Sequence, residues 1–241
     1  MSIFSVVSGK GGVGKTVISI NLGLAIAKKG KKVLLVDADI SSGNIVQYLG
    51  IKDPYPDLSD FLGGKEDSIE NVLKEFSDHV HVLPSGDSLR TILEADVSKI
   101  EDFLPELAKD YDYVLVDSPP GISQNSISPI EVSDQLLLVL TPDEASITSA
   151  SNIQKVGNIL DKRTRGFILN KWEKKGFFNR LFGGDSQMSR EKIEARMAVE
   201  NLGEVPYDEK VRESTELGEP LMKRFEGNRA SEAIRRISDK L

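Results

Sequence analysis

Near its amino terminus the chain reads Gly9-Lys10-Gly11-Gly12-Val13-Gly14-Lys15-Thr16, which satisfies the pattern Gly-x-x-x-x-Gly-Lys-(Ser/Thr). Glycines at 9, 11, 12 and 14 let the backbone curl tightly and aim its N–H groups at one point. A helix amino terminus following directly would aim its own donors at that point. The ligand implied is a phosphate group. Lys15 would then reach the outer phosphates of a nucleotide, and the Thr16 hydroxyl would ligate the magnesium ion those phosphates share. The predicted nucleotide-contacting stretch therefore runs Gly9, Lys10, Gly11, Gly12, Val13, Gly14, Lys15, Thr16, Val17. The alternative is a tight strand-to-helix turn whose lysine is merely solvated.

Two more groups of carboxylates lie where such chemistry would need them. Asp117 closes an apolar run, as a carboxylate does when it faces a ligand at the carboxyl edge of a parallel sheet, and it is assigned to the magnesium shell. Asp37 and Asp39 end another such run, and strand alternation would put both on one side. One of the two could touch the metal region and the other could orient the attacking water, with Asp39 the candidate carried forward. Strand-ending carboxylates also serve as helix caps and turn formers, which is the competing reading for each.

These residues have to be positioned by elements. Ser2 to Val7 is a short β-branched apolar run, expected as a strand buried on both faces. Thr16 to Lys29 repeats Val17, Ile20, Leu24 and Ala27 at helical spacing and stops at Gly30. Val33 to Val36 is a second strand at the distance a βαβ unit requires. Further strands are expected at Val80 to Leu83, Tyr113 to Val116, Leu136 to Leu140 and Gly166 to Leu169, and helices at Ser68 to Phe76 and about 99 to 109. Strands alternating with helices imply an α/β fold: a doubly wound, mostly parallel sheet with helices on both faces. No internal repeat or composition shift marks a second unit, so residues 1–241 are expected to form one domain.

Composition narrows the chemistry. A chain of 241 residues without cysteine excludes disulfides, thiolate catalysis and cysteine-held clusters, and His79 and His81 cannot make a metal site alone. A net charge of -7 argues against holding DNA by phosphate neutralisation. With no run of about 18 apolar residues, the expectation is a cytoplasmic protein with at most a peripheral contact at the inner face of the membrane.

Lys10 sharpens the motif. The run Lys-Gly-Gly-Val-Gly-Lys-Thr resembles the deviant Walker A motif of the MinD/ParA ATPases, with Lys10 as its signature lysine. The runs at 33 to 40 and 113 to 121 resemble the family's second motif and its Walker B region. Ile168-Leu169-Asn170 is similar to the strand whose asparagine reads adenine, and Val205-Pro206-Tyr207-Asp208 to the segment that packs against the base. This resemblance implies a P-loop NTPase that uses ATP and Mg2+, dimerises with itself in the ATP state, and hydrolyses ATP slowly as a switch. It implies Lys10, Lys15 and Asp39 as the catalytic residues and Thr16, Asp39 and Asp117 at the metal. It adds Asn170, Pro206, Tyr207 and Asp208 to the nucleotide contacts.

Within the family, Asp39-Ile40-Ser41-Ser42-Gly43-Asn44 and Ser118-Pro119-Pro120-Gly121 look closer to MinD than to plasmid-partition ParA. The role implied is spatial positioning, such as of a division site, with a protein activator or cargo as partner. The rivals are a partition or flagellar-positioning ATPase and, from another class, a kinase or synthetase for a small molecule. Two segments bear on membrane contact. Ala230 to Leu241 carries a modest apolar stripe expected to dock on the domain. Residues 171–184 mix Trp172, Phe177, Phe178, Leu181 and Phe182 with Lys171, Lys174, Lys175 and Arg180, which suits a packed surface loop, a partner groove or an anionic bilayer.

Overall fold

The computed structural model describes residues 1–40, 42–86, 93–173 and 188–241. The chain starts with β1 (Ser2–Val7), α1 (Lys15–Ala27), β2 (Val33–Asp37) and α2 (Asn44–Leu49). It continues with α3 (Leu58–Leu62), α4 (Ile69–Val72), β3 (Lys74–Ser77), β4 (Val80–Leu83), α5 (Ile100–Leu107), β5 (Tyr113–Asp117) and α6 (Gln124–Val132). Then follow β6 (Gln135–Leu140), α7 (Glu144–Ile159), β7 (Arg163–Trp172), α8 (Arg190–Met197), β8 (Asn201–Pro206), α9 (Glu209–Glu216), α10 (Leu221–Arg224) and α11 (Arg229–Ser238).

The strands make one sheet in the order β3-β4-β2-β5-β1-β6-β7-β8. Every neighbouring pair is parallel except β3 with β4. Helices cover both faces, because alternate residues of the apolar strands point to opposite sides. Phe4 and Val6 of β1 pack into the cluster that holds Ile18, Leu22 and Ile26 of α1. Ile3 joins Ile100 and Leu104 of α5 on the opposite face, and Val7 joins Ile147, Ala150 and Ile153 of α7. The expected doubly wound architecture is thus observed.

Helix α1 is buried almost all round, since it lies between the sheet and α11. Gly23 permits that close approach: a Cβ there would lie 2.7 Å from a Leu35 methyl. The carboxyl-terminal stripe docks as expected, with Ala230, Ala233, Ile234 and Ile237 buried against β8 and α1. No helix among the described residues is long and apolar enough to cross a membrane.

One expectation needs correction, and one strand lies outside the expectations. The helix expected over Ser68 to Phe76 is α4 alone, because Leu73 turns extended (φ -66, ψ 124) and the chain continues as β3, antiparallel to β4. The segment around Val205 and Pro206 ends a strand, β8, which pairs with β7 at the sheet edge and was not anticipated.

Candidate functional site

The register of the central strands assembles the site. Val6 and Asp37 both sit opposite Asp117, so the carboxyl ends of β1, β5 and β2 lie side by side where the glycine loop leaves β1. The loop needs its glycines for separate reasons. Gly12 (φ 77) and Gly14 (φ 91) are in the left-handed region, which a side chain opposes. A Cβ on Gly9 would lie 2.2 Å from the Ser149 Cβ.

Under the loop, Lys15 and Thr16 open α1 and converge on Asp117. The Lys15 Nζ lies 2.8 Å from Asp117 Oδ1, and the Thr16 hydroxyl donates to Oδ2 at 2.6 Å. The Ser19 hydroxyl, one helical turn on, donates to Oδ1 at 3.0 Å. The ion pair is enclosed, with Lys15 6% and Asp117 0% exposed, so it depends on those added hydroxyl donors to offset desolvation. Ser19 was not singled out from the sequence; its only signal was its place one turn beyond Lys15.

The two carboxylates of the second motif separate. Asp37 is fully buried and its Oδ2 accepts the Ile45 N–H at 3.2 Å, at the start of α2, while Oδ1 finds no partner among the described residues. Burial first, and then the neighbouring Asp117 charge, push the Asp37 carboxyl up to about 8. Asp39, beyond the strand end, faces the cleft instead. Strand alternation does not carry past Asp37, where β2 stops.

Lys10 turns away from the cleft wall and pairs with Asp143 at 2.8 Å, both groups being partly exposed. Asp143 caps α7 by accepting the Ser146 N–H and also accepts the Thr141 hydroxyl. Burial raises the Asp143 carboxyl, but the bonds from Lys10, Thr141 and Ser146 outweigh it and hold it below the usual carboxylate range.

The loop opens into a cleft of ≈ 760 Å³, within the range of nucleotide-sized pockets. Gly11, Gly12, Val13, Gly14, Lys15, Thr16, Val17, Asp39, Asn170, Pro206, Tyr207 and Asp208 all line it, so the structure brings most of the sequence-selected residues together. Gly9, Lys10 and Asp117 are not among its lining residues. Lys171 lines it too, as do Tyr48 of α2 and Val211 and Thr215 of α9, for whose place there sequence patterns carry no sign. Asn170 approaches the loop itself, its Nδ2 donating to the Val13 carbonyl at 2.7 Å. Asp208 caps α9 by accepting the Lys210 N–H at 2.9 Å.

The donor set suits a hard cation. A threonine hydroxyl and aspartate carboxylates are oxygen ligands, and magnesium takes few protein ligands when phosphates and waters supply the rest. The 2.6 Å contact of Thr16 with Asp117 brings two such oxygens together at the foot of the loop. Of the 171–184 segment, Trp172 packs partly buried against the α7 face, while Lys174, Lys175, Phe177, Phe178, Arg180, Leu181 and Phe182 lie outside the described residues.

Comparison with known proteins agrees with this geometry. The ParA family profile, described as NUBPL iron-transfer P-loop NTPase, matches residues 1–241. An uncharacterized ATP-binding protein of Methanocaldococcus jannaschii is 35% identical over 87% of this chain and 76% of its own length. Among solved structures, the Pyrococcus furiosus cell division ATPase MinD superposes with a TM-score of 0.91 at 30% identity, covering 99% of this chain and 97% of that one. The septum site-determining protein MinD of Pyrococcus horikoshii, complexed with Mg-ADP, gives a TM-score of 0.91 at 28% identity, covering 99% and 95%.

Proposed function

Because this chain belongs to the ParA/MinD family of P-loop NTPases, we propose that it is a magnesium-dependent ATPase switch of the MinD type, formed as one domain over residues 1–241. The observation that carries the proposal is the convergence of Lys15, Thr16 and Ser19 on Asp117 beneath the glycine loop, with Lys10 held at the rim. Phosphates entering the loop would draw Lys15 from Asp117. Thr16 and Asp117 would hold magnesium, which supplies charge neutralisation at the phosphate oxygens. Asp39 orients the attacking water, and Asn170, Pro206, Tyr207 and Asp208 border the base. Catalysis of this kind is positioning and charge.

Lys10 is the residue that makes the switch a dimer. It completes the partner's phosphate site after leaving Asp143, an exchange that costs little because the pair is partly exposed. The output is spatial positioning through a protein activator or cargo. An iron-transfer role does not suit this chain, which has no cysteine to hold a cluster.

Sedimentation of the purified protein with Mg-ADP and with Mg-ATP tests the reading. Wild type should dimerise with ATP only, and Lys10→Ala should stay monomeric while still binding nucleotide. A dimer of equal strength with ADP, or an unimpaired K10A dimer, would overturn it. Repeating the run with anionic liposomes and with duplex DNA separates a MinD-like peripheral membrane contact from a ParA-like DNA contact.

A further inference from the structure

Strand β7 ends irregularly at the cleft. Leu169 pairs with Glu204 and Trp172 with Pro206, so three steps along β7 answer two along β8. The extra residue is a bulge, and at it Lys171 takes a left-handed backbone (φ 56), a rare state for a residue with a side chain. In a regular strand Asn170 and Lys171 would point to opposite faces. Here both reach the same loop: Asn170 Nδ2 donates to the Val13 carbonyl at 2.7 Å and Lys171 Nζ to the Gly12 carbonyl at 2.7 Å.

Those two bonds fix consecutive peptide planes of the glycine loop. A trans peptide points its C=O and the next N–H in opposite directions. Holding the Gly12 carbonyl toward β7 therefore aims the Val13 N–H away from it, and holding the Val13 carbonyl does the same for the Gly14 N–H. Glycine loops bind anions through such oriented N–H groups, and Gly12 and Gly14, both left-handed, give the loop little stiffness of its own.

We propose that Lys171 is a positioning residue of the phosphate site, holding the crest of the glycine loop in its phosphate-accepting shape jointly with Asn170. Lys171 lines the cleft with its ammonium held on the Gly12 carbonyl, so it governs affinity for any ligand that presents a diphosphate. This rests on the reading of the loop as a nucleotide phosphate site.

The test is calorimetric titration of the full chain with Mg-ADP and with magnesium pyrophosphate, which engages the loop without a base. Lys171→Met should weaken both ligands by about the same factor, on the order of tenfold for a lost charged hydrogen bond. Lys171→Arg should restore most of the affinity, and the Lys171→Met KM for ATP should rise with kcat little changed. Lys171→Gly suits the left-handed backbone, so it should fold even where methionine does not and show the same loss. Pyrophosphate binding equal to wild type in both K171M and K171G, or a loss confined to ADP, overturns the assignment. A wild type that binds neither ligand overturns the reading of the loop itself, and the assignment with it.

Discussion

Asp37 and Asp117 are register partners on adjacent strands, yet their surroundings differ. Asp117 receives an ammonium and two hydroxyls, whereas Asp37 receives one backbone N–H and sits in full burial. A carboxyl raised to about 8 in the fold and titrating at about 4 when unfolded holds a proton that the unfolded chain has lost across that window. Its stabilising contribution is fully present below about pH 4 and is lost as pH rises through about 8, at no more than about 1.4 kcal/mol per pH unit. Asp37→Asn keeps the acceptor for Ile45 and removes the titration. In nucleotide- and magnesium-free protein, urea unfolding should show wild-type stability declining relative to D37N from pH 4 to pH 8. Parallel profiles would refute the buried-proton assignment. At this scale the motif residues Lys15 and Thr16 were legible because their spacing is itself the chemistry. Asp143 and Lys171 were not, because their partners are 133 and 159 residues away.

At the level of elements, strands buried on both faces announced themselves as short, largely apolar runs, and β1, β2, β5 and β6 fell where expected. The two outermost strands did not. Ile69, Val72, Leu73 and Phe76 fit helical spacing, yet an antiparallel return to β4 captures the second half as β3. In β8, Asn201, Gly203 and Glu204 break the apolar run, and the strand exists because β7 offers an edge on one side and α11 covers its face. Tertiary pairing outweighs local propensity in both. The same packing decides what α11 does. Ile237 is buried and presses on Gly203, where a Cβ would come within 2.6 Å of its side chain. Ile237→Ala should therefore cost about 2–5 kcal/mol, read as a lower urea midpoint with an unchanged slope. A helix that served to insert in lipid instead would leave the midpoint unmoved.

The whole molecule carries a net charge of -7, and the proposed switch brings two such copies together around two more anions. Their mutual repulsion is long-ranged: the screening length is about 30 Å at 0.01 M salt and about 8 Å at 0.15 M. The Lys10 contact that would hold the dimer is short-ranged and enclosed once formed, so salt weakens it far less. Raising ionic strength from 0.01 to 0.15 M should thus tighten the ATP-bound dimer, as measured by sedimentation equilibrium at fixed Mg-ATP. Duplex DNA binding, which depends on cation release from phosphates, should stay undetectable at both. A dimer that loosens steadily with salt would mean that exposed, complementary charges dominate the interface. The Lys10 contact with the partner's phosphates would then matter less than the surface surrounding it, and the K10A protein should recover dimerisation at low salt.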